Sequence, residues 1–157
     1  MNRPYLIPVI FLIIATLQTA LSPFLQFDKI HPDWIVVIVL AVSLLKPISE
    51  TLIWAFWGGL ILDMFSDTPF GMFMVSMLIM AYLANFWQGR IRNSFIFPII
   101  LTLPYTVLFN TTVLLLLQIF GYQVAWQETI NRVIFPAGIF NLLIMVVVYP
   151  SMVMMQK

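Results

Sequence analysis

The sequence predicts an all-α polytopic membrane protein, and three observations carry that prediction. Of the 157 residues, 62% are hydrophobic and only 8% are charged, where a soluble domain carries roughly 25% charged residues. A small domain in water leaves much of its surface exposed, so a chain this apolar needs lipid as its solvent. With the clear exception of Asp63, the few charges also fall between or at the ends of apolar runs, which divides the chain into segments.

Six segments follow in order. The first, about Pro4–Leu25, follows Arg3 and is long enough to cross the hydrocarbon core. Arg3 with the apolar run after it and the small residues Thr19 and Ala20 also fits a secretory signal; an uncleaved first helix is preferred because more apolar segments follow. The second, about Trp34–Leu45, and the third, about Glu50–Phe65, are shorter than the roughly 20 residues a span needs. Their ends must reach the headgroup region, or the bilayer must thin there. A re-entrant hairpin over Trp34–Phe65 is the alternative. The fourth is about Phe70–Trp87, the fifth about Phe95–Gln118 and the sixth about Val133–Met155. The connections are short, with no low-complexity linker, so residues 1–157 read as one transmembrane domain without a soluble part. The longest connection, about Ile119–Arg132, reads either as a short amphipathic turn on the membrane surface or as an irregular loop pinned by Trp126.

Charge sets the expected orientation. With six spans, Arg3, Lys46, Arg90, Arg92 and Lys157 share one side. Lys29 and Arg132 lie on the other, with Asp28, Asp33, Asp63, Asp67 and Glu128. Both termini are therefore expected in the cytoplasm. Tyr5, Trp54, Trp57 and Trp87 then fall near cytoplasmic ends, and Trp34, Tyr122 and Trp126 near outer ends, as interfacial belts. The cytoplasmic bases Lys46, Arg90 and Arg92 suit attraction to acidic lipid or, alternatively, to a filament.

Composition excludes much chemistry. The absence of cysteine removes disulfides, thiolate metal sites and a thiol nucleophile. A single histidine, His31, makes no His-rich metal site, and a net charge of +1 does not suit nucleic acid. Gly58-Gly59 lacks the Lys-Ser/Thr that completes a phosphate loop. No cofactor and no metal are expected, and no catalytic constellation stands out.

An ionisable residue inside a membrane segment is a functional hypothesis by default, and Asp63 is the clear case. Ala55, Gly59 and Asp63 are spaced i, i+4, i+8 and share a helix face, with Gly58 beside them. Small residues let another helix approach closely. The stripe is read as a groove for a neighbouring helix that Asp63 fastens, with Arg132 as a candidate ionic partner; otherwise Asp63 is the water-facing end of a short helix. Asp33, in His31-Pro32-Asp33-Trp34, is read as the cap of the second helix. Phe65-Ser66-Asp67-Thr68-Pro69-Phe70-Gly71 reads as a tight outer turn. Asn110 and Asn141 sit about equally far from the outer ends of their segments and are expected to pair, the alternative being a polar pocket for a ligand or lipid headgroup. Pro98, Pro104 and Pro136 are expected to bend the last two helices.

From the second segment to the fourth, the chain resembles the MreD family of rod shape-determining membrane proteins. The residues are Pro32-Asp33-Trp34, then Gly59-Leu60-Ile61-Leu62-Asp63-Met64-Phe65-Ser66, Pro69-Phe70-Gly71 and Tyr82-Leu83. The resemblance implies a non-enzymatic inner-membrane scaffold in cell-wall elongation. Its implied partners are MreC, a wall-synthesis transglycosylase and transpeptidase, and MreB filaments. The stripe of Ala55, Gly58, Gly59 and Asp63 is the expected seat of the single MreC helix. The family is similar in fold to the substrate-binding subunits of energy-coupling-factor vitamin transporters, so such a transporter subunit is the alternative function. Ala15 and Thr19 do not extend into the longer small-residue face that such subunits use for docking.

Overall fold

The structure is a computed structural model that describes residues 6–25, 33–89 and 95–155, with the side chains of 6–20 in the first stretch. Among these residues there are six helices and no strand. They are α1 (Leu6–Leu25), α2 (Trp34–Leu45), α3 (Ile48–Met64), α4 (Met72–Asn85), α5 (Ile96–Ile119) and α6 (Trp126–Met154). Each coincides with one of the apolar segments. Two of them, α5 and α6, are long and apolar enough to cross a membrane. At 1.5 Å per residue the 24 residues of α5 extend about 36 Å.

The chief departure from expectation is at the start of α6, which begins at Trp126 rather than near Val133. Helix therefore replaces the second half of the predicted outer connection. Its first turn, Trp126–Thr129, runs through a π-helical turn at Ile130–Ile134 into Phe135–Met154. Pro136 lies two residues past that turn; it has no N–H to give to the Arg132 carbonyl, and a wider turn is one way for a helix to absorb that loss. Trp126 Nε1 donates to Gln118 Oε1 at 3.2 Å, tying the first turn of α6 to the last turn of α5.

The shortest helix is the most enclosed. In α2, nine of twelve residues are buried, and it touches all five other helices. Its sequence, Trp-Ile-Val-Val-Ile-Val-Leu-Ala-Val-Ser-Leu-Leu, is apolar all round, as a helix without a solvent or lipid face should be. The closest pairing is the α3–α4 hairpin, while α5 pairs with α6, and among the described residues α1 touches only α2 and α3. The core gathers around Phe11, Ile35, Val39, Leu40, Met77, Met80, Phe109, Met145 and Tyr149. Trp54, expected at an interface, is partly buried and meets the Phe11 ring edge-on, with centroids 5.4 Å apart. The outward faces of α1, α4, α5 and α6 carry large apolar side chains such as Ile13, Leu83, Ile100 and Val147, which is the surface lipid requires.

Candidate functional site

The polar groups inside the bundle collect at three junctions, and each begins from a local need of the backbone. The first is the start of α4. Its N-cap is Gly71, at φ +98, where a side chain is disfavoured, and no cap side chain bonds the free amides of the first turn. Asp63, in the last turn of α3, fills that role from a different helix. Its Oδ1 accepts the Phe73 N–H at 2.9 Å and its Oδ2 the Met74 N–H at 3.0 Å. These are the amides an N-cap side chain ordinarily serves, and a carboxylate there also meets the positive end of the helix dipole. Asp63 is 4% exposed, so it is not a water-facing helix end.

Gly59 makes this reach possible. A Cβ placed there would stand 2.4 Å from the Met74 Cα and 2.9 Å from the Met74 N. The two backbones are therefore in direct contact one turn below the carboxylate. Ala55, a turn further back, is 0% exposed. Gly58 faces elsewhere, toward Val39, Ile35 and Phe11.

The stripe of Ala55, Gly59 and Asp63 thus receives a helix, and that helix is α4 of the same chain. This corrects the expected seat for a partner's helix: α4 already fills the groove at backbone contact, which leaves no volume for a second occupant. The ionic partner expected for Asp63 is corrected too. Arg132 pairs with Glu128 on its own helix at 3.2 Å, with both side chains more than half exposed, and such a pair contributes little.

The second junction lies at the start of α2. Asp33 occupies the N-cap position, but its side chain makes no capping bond. Instead its backbone N–H donates to Asn141 Oδ1 at 3.1 Å, and Asn141 Nδ2 donates to Thr106 Oγ1 at 3.3 Å. Asn141 is 0% exposed, and it ties α2, α5 and α6 at one point. The Asp33 carboxyl turns to α1, where the Gln18 side chain hydrogen-bonds it. The expected Asn110–Asn141 pair does not form. Asn110 Nδ2 bonds back to the Thr106 carbonyl at 2.9 Å within α5, and the hydroxyl one turn earlier takes Asn141. Similar depth placed both amides at one level, but helix rotation decided which of them face.

The third junction was not singled out in the sequence. Asn85, in the last turn of α4, donates from Nδ2 to the Ser43 and Lys46 carbonyls, both at 2.8 Å. It satisfies carbonyls at the C-terminal end of α2, which lack helical partners. The usable signal was an amide four residues before Gly89, near an expected helix end; nothing local says that it serves α2 rather than α4.

An apolar groove of about 510 Å³ also opens between α4 and α5, lined by Leu83, Phe86, Trp87, Leu101, Pro104, Tyr105 and Leu108. Tyr105 Oη donates across it to the Leu83 carbonyl at 3.0 Å. Among the described residues no group of three or more His, Cys, Asp or Glu side chains is placed to hold a metal ion.

These features define a helical membrane protein whose buried polar side chains join one helix to the next. A family model described as rod shape-determining protein MreD matches residues 1–157, the whole chain, and the chain belongs to that family. It is a membrane protein of the cell-shape machinery. No curated protein and no solved structure matches it.

Proposed function

We propose that the chain is a non-enzymatic scaffold of the wall-elongation machinery, crossing the bacterial inner membrane six times as a single domain with both termini in the cytoplasm. It holds the single-span MreC and links the wall-elongation transglycosylase and transpeptidase to MreB filaments, directly or through MreC. The whole-chain family match carries the reading. The geometry adds to it, because the buried polar side chains at the three junctions hold helices in place. The five-to-two division of basic residues supports the orientation. The likeness to vitamin-transporter binding subunits belongs to this proposal as a likeness of bundle architecture, with assembly rather than uptake as the function.

The test is depletion in a rod-shaped host, with MreC copurification from the complemented strain. Rounded cells on depletion, rescue by the intact chain and MreC in the eluate are the expected results. Normal shape with impaired vitamin uptake would reject the scaffold.

A further inference from the structure

Among the described residues, one buried side-chain oxygen or nitrogen has no hydrogen-bond partner, and it is Gln18 Oε1. The other end of the same amide meets the Asp33 carboxyl. The pair lies where α1 passes the start of α2, beside a slot of about 150 Å³ lined by Ile14, Leu17, Gln18 and Trp34. An ionised carboxylate only accepts hydrogen bonds. It can take the Gln18 N–H, but it has nothing to give to Oε1. A protonated carboxyl has an O–H, and it matches a primary amide at two points: acid O–H to amide oxygen, and amide N–H to acid carbonyl oxygen.

We propose that Asp33 and Gln18 form a proton-operated latch, which closes through both bonds when Asp33 takes a proton from water and falls back to one bond when it releases it. Closed, the latch fastens α1 to the junction where Asn141 ties α2, α5 and α6. That attachment matters because, among the described residues, α1 touches only α2 and α3.

The surroundings suit such a switch. Burial pushes the Asp33 carboxyl up to about 6, against the lowering effect of the Gln18 bond, although Asp33 keeps some accessible surface. The described side chains bonded at this junction are neutral: Gln18 to the Asp33 carboxyl, Asn141 to the Asp33 N–H, and Thr106 to Asn141. On α3, which packs against both α1 and α2, Asp63 is held by the Phe73 and Met74 amides of α4. Residues 6–20 and 34–45 carry no charge, and Glu128 and Arg132, farther along α6, neutralise each other. Asp28, Lys29 and His31 lie outside the described residues. A carboxyl whose folded value stands above the ordinary one of about 3.9 binds its proton more tightly in the folded state. The latch is therefore fully closed in acid, and its contribution is lost as pH rises through about 6.

The full-length protein in nanodiscs tests this. The chain has no cysteine, so Ile13→Cys, at an exposed site on α1, takes a single spin label. Mobility of that label is expected to rise between pH 5 and pH 8, in step with loss of an infrared carboxylic-acid band that is missing in Asp33→Asn. In Asp33→Asn the amide always has an N–H to give, so the label should stay restrained at both pH values. In Gln18→Leu it should be mobile at both. A label that ignores pH in the parent protein overturns the latch, as does the same pH response in either variant. Absence of the acid band at pH 5 also overturns it.

Discussion

Asp63 shows how much one side chain decides. Its two oxygens serve two amides that would otherwise be unmet. Asp63→Asn keeps the shape but offers one acceptor, and its amide N–H would face the second backbone N–H. A buried donor left unpaired costs about 1–3 kcal/mol. The variant should therefore melt lower in detergent, by circular dichroism, even though no ion pair is lost. Gly59 and Gly58 are adjacent in the sequence and differ in consequence. Gly59→Ala places a methyl 2.4 Å from backbone and must push α4 away; overpacking of this kind costs typically about 1–3 kcal/mol, and backbone yields less readily than side chains. Gly58→Ala meets the side-chain methyls of Val39 and Ile35 at 3.0 and 3.1 Å, which can shift by a few tenths of an ångström. Folded yield measured by size-exclusion chromatography should fall sharply for Gly59→Ala and modestly for Gly58→Ala. The same contrast separates the two asparagines. Asn141→Leu removes the bond to the Asp33 N–H and the bond to Thr106, and interhelical bonds in membranes are worth roughly 1–2 kcal/mol at most. Asn110→Leu removes a bond within its own helix and should leave the melting temperature nearly unchanged.

At the scale of elements, helix existence was legible and helix pairing was not. Apolar runs broken by charges located all six helices, because a chain in lipid must satisfy its backbone within each segment. The third helix carries the Gly-Leu-x-x-Asp signature, and reading its stripe as a docking groove was sound as far as the chemistry of close approach goes. Which helix docks is a tertiary fact, settled by the turn at Gly71 that folds α4 back onto α3. The shortness of α2 has a similar explanation. Packed against five neighbours, it has its ends held by Asn141 and Asn85, so length matched to a bilayer is not what stabilises it. Asn85→Ala leaves the Ser43 carbonyl without its side-chain donor and the Lys46 carbonyl with the Thr51 hydroxyl alone. Hydrogen exchange should rise at the end of α2 and the start of α3, while α6 keeps its protection. In α6 the helical start at Trp126 escaped the sequence reading because Gln127, Glu128, Asn131 and Arg132 are polar and exposed; hydropathy marks the apolar part of a helix, not its end.

For the whole molecule, the distribution of basic residues sets the expected topology. A reporter fused to the C-terminus should give a cytoplasmic signal, and a periplasmic one would remove the six-span orientation. Moving charge across the bundle, as in Arg90→Glu with Arg92→Glu, reduces the cytoplasmic excess from which that orientation is drawn. The double variant should yield a mixed population in the same reporter assay.

Taken by itself, the sequence determined the solvent, the helices and the class. Composition points to lipid as the medium for so much apolar surface, and the spaced charges mark the breaks between helices. The family was legible too, since its motifs occur in order along α2, α3 and α4. Tertiary structure alone decided what the polar residues do. Asp63 caps a helix that begins nine residues downstream, Asn141 passes over Asn110 for Thr106, and the small-residue groove is filled from within. The physical reason is that a hydrogen bond depends on helix rotation and on the path of the connecting turn. Neither is written in the spacing of residues along a single helix.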